Sequence, residues 1–223
     1  CAYAINYIMS KRKKEQFFFH LDSDTCMMTS DWITKFMEVM NEYPEIGAAS
    51  TVKPSILRYY SIYSKKLNKH GVEVGVIDAL IGNCLCIRPE VIDILGYFNE
   101  ETGRCDSDYS IRINKFTNYK MALVKSIVID QKQKIECSEC IMSNMCKVKN
   151  NNITCFKIRD NKYQNEIFEK KSKELVIKYY QEIEEGKRTP YCASIHDEKS
   201  MKDNYYDRNR AEQIFNYYIK KSN

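Results

Sequence analysis

"FFFHLDSDTCMM" (Phe17–Met28) carries an aromatic run straight into two carboxylates. Phe17 to Leu21 is short, apolar and rich in aromatics, which predicts a buried strand. Asp22 and Asp24 follow it, one residue apart. A carboxylate at the carboxyl end of a strand in an α/β sheet points into the crevice where such sheets bind ligands. Two acids on a tight turn can reach the same crevice. Mg²⁺ or Mn²⁺ takes one or two carboxylates together with phosphate oxygens. Turn formation or helix capping is the competing reading of both acids.

The surrounding sequence alternates strand and helix signals. Thr29, Ser30 and Asp31 offer N-caps. Ile33, Phe36, Met37 and Met40 then recur at helical spacing until Pro44. Ile46 to Val52 and Ala79 to Ile87 read as strands, and a short helix opens at Pro89 and closes at Gly96. Asp106 to Phe116 reads as a helix and Met121 to Ile129 as a strand. Two late helices span Phe168 to Ile183 and Asp207 to Ile219, the second with Ala211, Ile214, Phe215 and Tyr218 on one face. Upstream, Cys1 to Gln16 reads as a helix with Ala4, Ile5, Tyr7, Ile8 and Met9 on its apolar side. This alternation predicts an α/β fold with a largely parallel sheet flanked by helices.

Composition narrows the class. The chain has 223 residues, 43% hydrophobic and 29% charged, which suits a folded globular protein. No apolar run is long enough for a membrane-spanning helix. The expected setting is the cytoplasm or its membrane surface. Net charge is +5, and the densest basic run is Lys11-Arg12-Lys13-Lys14, read first as a solvated helix end and second as a polyanion site. No nucleic-acid motif accompanies it.

A second acidic pair lies in "GRCDSDYSIRI" (Gly103–Ile113). Asp108 and Arg112 are spaced i,i+4 and can pair along a helix. Asp106 stands at the expected N-cap. It is either a cap or a general base facing the crevice.

In order, "FFFHLDSD", "IGNCLCIRPEVIDILGYFNEE" (Ile81–Glu101) and "CDSDYSIRI" resemble the family 2 glycosyltransferases of GT-A fold. That family has an apolar strand ending in Asp-x-Asp, then a strand, an Arg and a short helix ending in Gly-x-Phe-(Asp/Asn)-Glu. An acidic pair follows, with an Arg six residues after its second acid. Gly96, Phe98, Asn99 and Glu100 fit the middle block, and Asp106 to Arg112 keeps the six-residue step. The resemblance covers roughly Ala2 to Ile129.

The resemblance implies an inverting transfer of a sugar from a nucleoside-diphosphate donor to a glycan, lipid or protein hydroxyl. It implies that Asp22 and Arg112 serve the donor, that Asp24 holds Mn²⁺ or Mg²⁺, and that Asp106 is the base. Cys105 stands where the family usually has Glu. "HDEKSMKDNYYDRNR" (His196–Arg210) resembles a later family segment whose His completes the metal shell, so His196 is the candidate and Asp130 its rival. The family's nucleotide-binding half precedes the Asp-x-Asp strand, whereas 21 residues precede Asp22 here. Either a fragment or a chain that binds donor poorly by itself is expected.

"CSECIMSNMCKVKNNNITC" holds Cys137, Cys140, Cys146 and Cys155 in polar sequence. The two-residue gap between the first two lets both thiolates bind one ion, which suggests structural Zn²⁺, with an iron–sulfur cluster as the alternative. Three parts are thus expected: a partial GT-A domain at 1–135, a metal-binding insertion at 136–160 and a helical part at 161–223. The function class that competes with the transferase is a zinc-stabilised module using its lysines and 17 tyrosines to bind nucleic acid or protein. An inactive glycosyltransferase fragment is a third reading.

Overall fold

A computed structural model describes residues 2–55, 65–131 and 166–220. The strands are β1 Phe18–Leu21, β2 Thr25–Met27, β3 Ile46–Ser50, β4 Lys65–Lys69, β5 Val72–Ile77, β6 Cys84–Ile87, β7 Lys120–Leu123 and β8 Ile129–Gln131. The helices are α1 Ala2–Met9, α2 Trp32–Glu42, α3 Pro89–Leu95, α4 Cys105–Phe116, α5 Glu166–Glu184, α6 Glu198–Asp203 and α7 Arg208–Lys220. The expected insertion at 136–160, with Cys137, Cys140, Cys146 and Cys155, lies outside the described residues.

Six strands form one sheet in the order β1-β6-β3-β7-β5-β4, and β2 pairs with β8 in a separate ribbon. The class is mixed α/β, as expected. The largely parallel sheet is not: β3/β7 is parallel, and the other four pairings in the main sheet are antiparallel. Parallel neighbours need a long crossover, usually helical. The β4–β5 hairpin turns at His70 and Gly71, which both take positive φ, so it needs no crossover. β6 is entered from a loop on the same side as the ends of β1 and β3, and so runs against both.

Alternating side chains sort into two cores. Ala48, Leu85, Ile87, Met121 and Leu123 face Ile5 and Met9 of α1, Val91 of α3 and Ile113 of α4. Ala49, Cys84, Cys86 and Ala122 face Phe36, Val39 and Met40 of α2. Each fully buried large side chain in these layers contributes roughly 1.5–3 kcal/mol. The β4 edge carries exposed Lys65, Lys66 and Lys69, charges that deter pairing with another chain.

Several boundaries differ from expectation. The Met121–Ile129 strand is broken: Lys120–Leu123 stays in the main sheet and Ile129–Gln131 joins the ribbon. The Ala79–Ile87 strand shortens to Cys84–Ile87. α1 stops at Met9 and buries Ala2, Ile5, Asn6 and Met9, leaving Ala4, Tyr7 and Ile8 outside. Phe215, assigned to the inner face of the last helix, is 42% exposed.

The turn after α3 joins the C-terminal part to the sheet. Gly96 takes φ 66°, and a Cβ there would meet the Cys192 carbonyl oxygen, so only Gly fits. Tyr97 N–H donates to that carbonyl at 3.0 Å, and Cys192 N–H donates to Leu95 O at 2.9 Å.

Candidate active site

The chain leaves β1 at Leu21, opposite Cys84, the first residue of β6. Pairing continues one step beyond the strands, where Asp22 N–H donates to Asn83 O at 2.8 Å. On the next residue, Gly82 N–H donates to Asp106 Oδ2 at 3.1 Å. Asp22 and Asp106 are 84 residues apart in sequence, yet they flank a single two-residue turn.

Helix α4 holds that turn with one face. Asp106, Ser110 and Asn114 recur every four residues. Ser110 Oγ accepts from Leu80 N–H at 2.9 Å, and Asn114 Nδ2 donates to Asp78 O at 2.9 Å. Ile81 N–H reaches Ser50 Oγ at 3.4 Å. Segment 78–83 is therefore pinned along its length rather than extended as strand. Asp106 is not the N-cap, a position that Arg104 occupies with its side chain turned to Ser172 rather than capping the helix. It lies in the first turn, half-buried, with Oδ1 accepting from Ser107 N–H at 2.9 Å and Oδ2 from Gly82.

Asp22 is half-buried, and His20 Nε2 lies 3.0 Å from its Oδ1, where a ring N–H donates to the carboxylate. His20 escaped the sequence reading. Its signal was the two-residue step to Asp22, which puts both on one side of the strand. Asp24 ends the turn into β2. In the ribbon, Cys26 pairs with Asp130, so Asp130 lies two positions along from Asp24.

His196 is elsewhere. Its ring packs edge-on against Tyr7 of α1 with centroids 5.4 Å apart, and the backbone N–H of His196 donates to Ser194 Oγ. Among the described residues, no group of three or more His, Cys, Asp or Glu could hold a metal ion. Asp22, Asp24 and His196 thus form no ready protein shell.

Arg112, expected to serve the donor, is fully buried. Its Nε donates to Asp108 Oδ2 at 2.8 Å, Nη1 to Leu95 O at 2.7 Å and Nη2 to Tyr97 O at 2.8 Å. It also lies over the Tyr109 ring. Tyr180 O–H donates to the other Asp108 oxygen at 3.1 Å. The i,i+4 pair is real, and it is committed to the turn after α3 rather than to the crevice.

Glu100 and Glu101 are likewise interior. Glu100 accepts from Asn6, Ser194, Ile195 N–H and Tyr206, tying α1 to the segment before α7. Glu101 accepts from Arg188 and Asp207 N–H and pairs with Arg210. Burial pushes the Glu101 carboxyl up against the pull of both arginines. Burial also raises the Cys105 thiol to about 11, so next to Asp106 it is a packing group rather than a thiolate.

Comparison of the chain with known families, curated proteins and solved structures finds no match.

Proposed function

We propose that this chain carries the acceptor-activating and metal-holding part of an inverting glycosyltransferase that uses a nucleoside-diphosphate sugar. The observation that carries the reading is the pair of hydrogen bonds around Gly82 and Asn83, which brings the Asp-x-Asp turn and Asp106 to one end of the sheet. Carboxylate oxygens from Asp24, with Asp130 close by in the ribbon, suit Mg²⁺ or Mn²⁺, which fills its remaining positions with phosphate oxygens and water. Such an ion, when bound, would neutralise charge on the departing diphosphate.

The chain's own residues do the rest. His20 fixes the rotamer of Asp22 beside the donor. Asp106 receives the acceptor's proton as the alcohol oxygen bonds to the anomeric carbon and the bond to the diphosphate oxygen breaks. Attack opposite the leaving group inverts that carbon. Gly82 and Ser107 each donate to one Asp106 oxygen, so the carboxylate is oriented before the acceptor arrives.

The test is Mn²⁺-dependent release of nucleoside diphosphate by a polypeptide that includes this chain. Asp24→Asn and Asp106→Asn should each lower the rate by about 10²-fold or more. Asn at 106 still offers an oxygen to Gly82 N–H, and the Ser107 N–H is exposed and can turn to water. A merely structural Asp106 would therefore tolerate the change, and an undiminished rate would sink the assignment.

A further inference from the structure

Helix α1 is apolar on both faces. Ala2, Ile5 and Met9 enter the core, while Ala4, Tyr7, Ile8 and Lys11 form an outward stripe at helical spacing. Ile8 is 60% exposed and Tyr7 50%. Phe215 of α7 extends the stripe, lying 4.8 Å from the Tyr3 ring. Three large apolar side chains thus share one outer surface, unlike singly scattered ones.

The stripe runs into an ordered basic turn. Arg12 does not point outward. Its Nη1 donates to the carbonyls of Lys13, Lys14 and Gln16, and its Nη2 approaches Asp93. Gln16 Oε1 accepts from Lys13 N–H at 2.9 Å. The backbone of the turn is therefore tied down, and Lys11, Lys13 and Lys14 stand exposed from it. Lys11 lies over the Tyr7 ring, beside the apolar stripe. The acids bordering this surface are Glu15 in the turn, Asp93 against Arg12 and Glu212 near Tyr3, three against the four basic residues of Lys11–Lys14.

We propose that this face, α1 with the Lys11–Lys14 turn and Phe215, docks on an anionic lipid membrane. An interfacial surface of this kind combines apolar groups that enter the headgroup boundary with lysines that meet lipid phosphates. Tyrosine suits that depth because its ring is apolar and its hydroxyl stays wet. A nucleic acid would use the lysines and Tyr7, but it gains nothing from exposed Ile8. Charge complementarity and the aliphatic component together favour lipid. The inference is independent of the transferase reading.

Vesicle co-sedimentation of the full chain tests it. The chain should bind vesicles of phosphatidylcholine with a third phosphatidylserine and leave pure phosphatidylcholine vesicles in the supernatant. Each Lys→Gln change at 11, 13 or 14 should lower the partition coefficient about fivefold. Ile8→Ser and Phe215→Ser should weaken binding without altering its salt dependence. All five positions are exposed, so circular dichroism should be unchanged. Absence of vesicle binding would overturn the proposal. So would binding that survives Lys11→Gln/Lys13→Gln/Lys14→Gln, or single-stranded oligonucleotide binding that is lost in the lysine variants while Ile8→Ser has no effect.

Discussion

A methyl group at Gly82 would sit 3.0 Å from Asp106 Oδ2, closer than most real Cβ contacts. The backbone there does not require glycine, so the constraint is the carboxylate alone. Gly82→Ala should leave stability within about 1 kcal/mol, since the site is half-buried and the clash is with a movable side-chain tip. It should nonetheless displace the Asp106 carboxylate. Under the transferase reading this lowers kcat more than KM, because the disturbed group acts in the transition state. Equal kinetics for Gly82→Ala and the parent chain would show that the Gly82–Asp106 contact does not matter to the chemistry.

At the scale of elements, one buried guanidinium joins α4 to the turn after α3. Removing it leaves Asp108 as a buried charge whose remaining partner is the Tyr180 hydroxyl, and leaves the Leu95 and Tyr97 carbonyls without that donor. Breaking a buried pair on one side costs about 3–5 kcal/mol. Arg112→Met should therefore lower the urea midpoint by that equivalent, with Arg112→Lys only partly restoring it, since an ammonium cannot span three planar acceptors. A loss below about 1 kcal/mol would mean that the pair is a surface-like contact. The same elements show where periodicity misleads. α1 offers apolar residues all round, and only contact with the sheet selects Ile5 and Met9 over Tyr7 and Ile8. Asp106, Ser110 and Asn114, spaced every four residues along α4, hold the 78–82 loop.

The whole molecule closes through an ionic cluster between the turn after α3 and the C-terminal helices. Arg210 Nε donates to Asp207 Oδ2 at 2.6 Å and Nη2 to Glu182 Oε2 at 2.8 Å, and Arg188 reaches Glu101 at 3.1 Å. Burial alone would raise the Asp207 carboxyl, but the backbone N–H, charge and guanidinium of Arg210 outweigh it and hold it below the usual carboxylate range. A carboxyl depressed in the folded state adds stability above its unfolded value and loses it as pH falls through the folded one. Asp207→Asn should thus flatten the acid limb of unfolding below about pH 4, as measured by urea titration, and lower stability near neutrality. An unchanged acid limb would place the acid sensitivity in other carboxylates.

Local chemistry was enough for much of this protein. Aromatic bias marks β1, Pro89 and Gly96 bracket α3, and i,i+4 spacing pairs Asp108 with Arg112, because each depends on neighbours within a turn or a pleat. The acid pair at the end of β1 and the acid at the start of α4 were also visible as residues. That both approach one turn was expected from the family resemblance alone, because the link runs through Asn83 and Gly82, whose backbone groups carry no side-chain signal. Strand direction, the burial of Arg112, the removal of His196 to the α1 surface and the outward turn of Tyr7 and Ile8 were decided only by tertiary structure. Each depends on contacts between segments far apart in the chain, where many pairings satisfy the same local pattern and packing chooses among them.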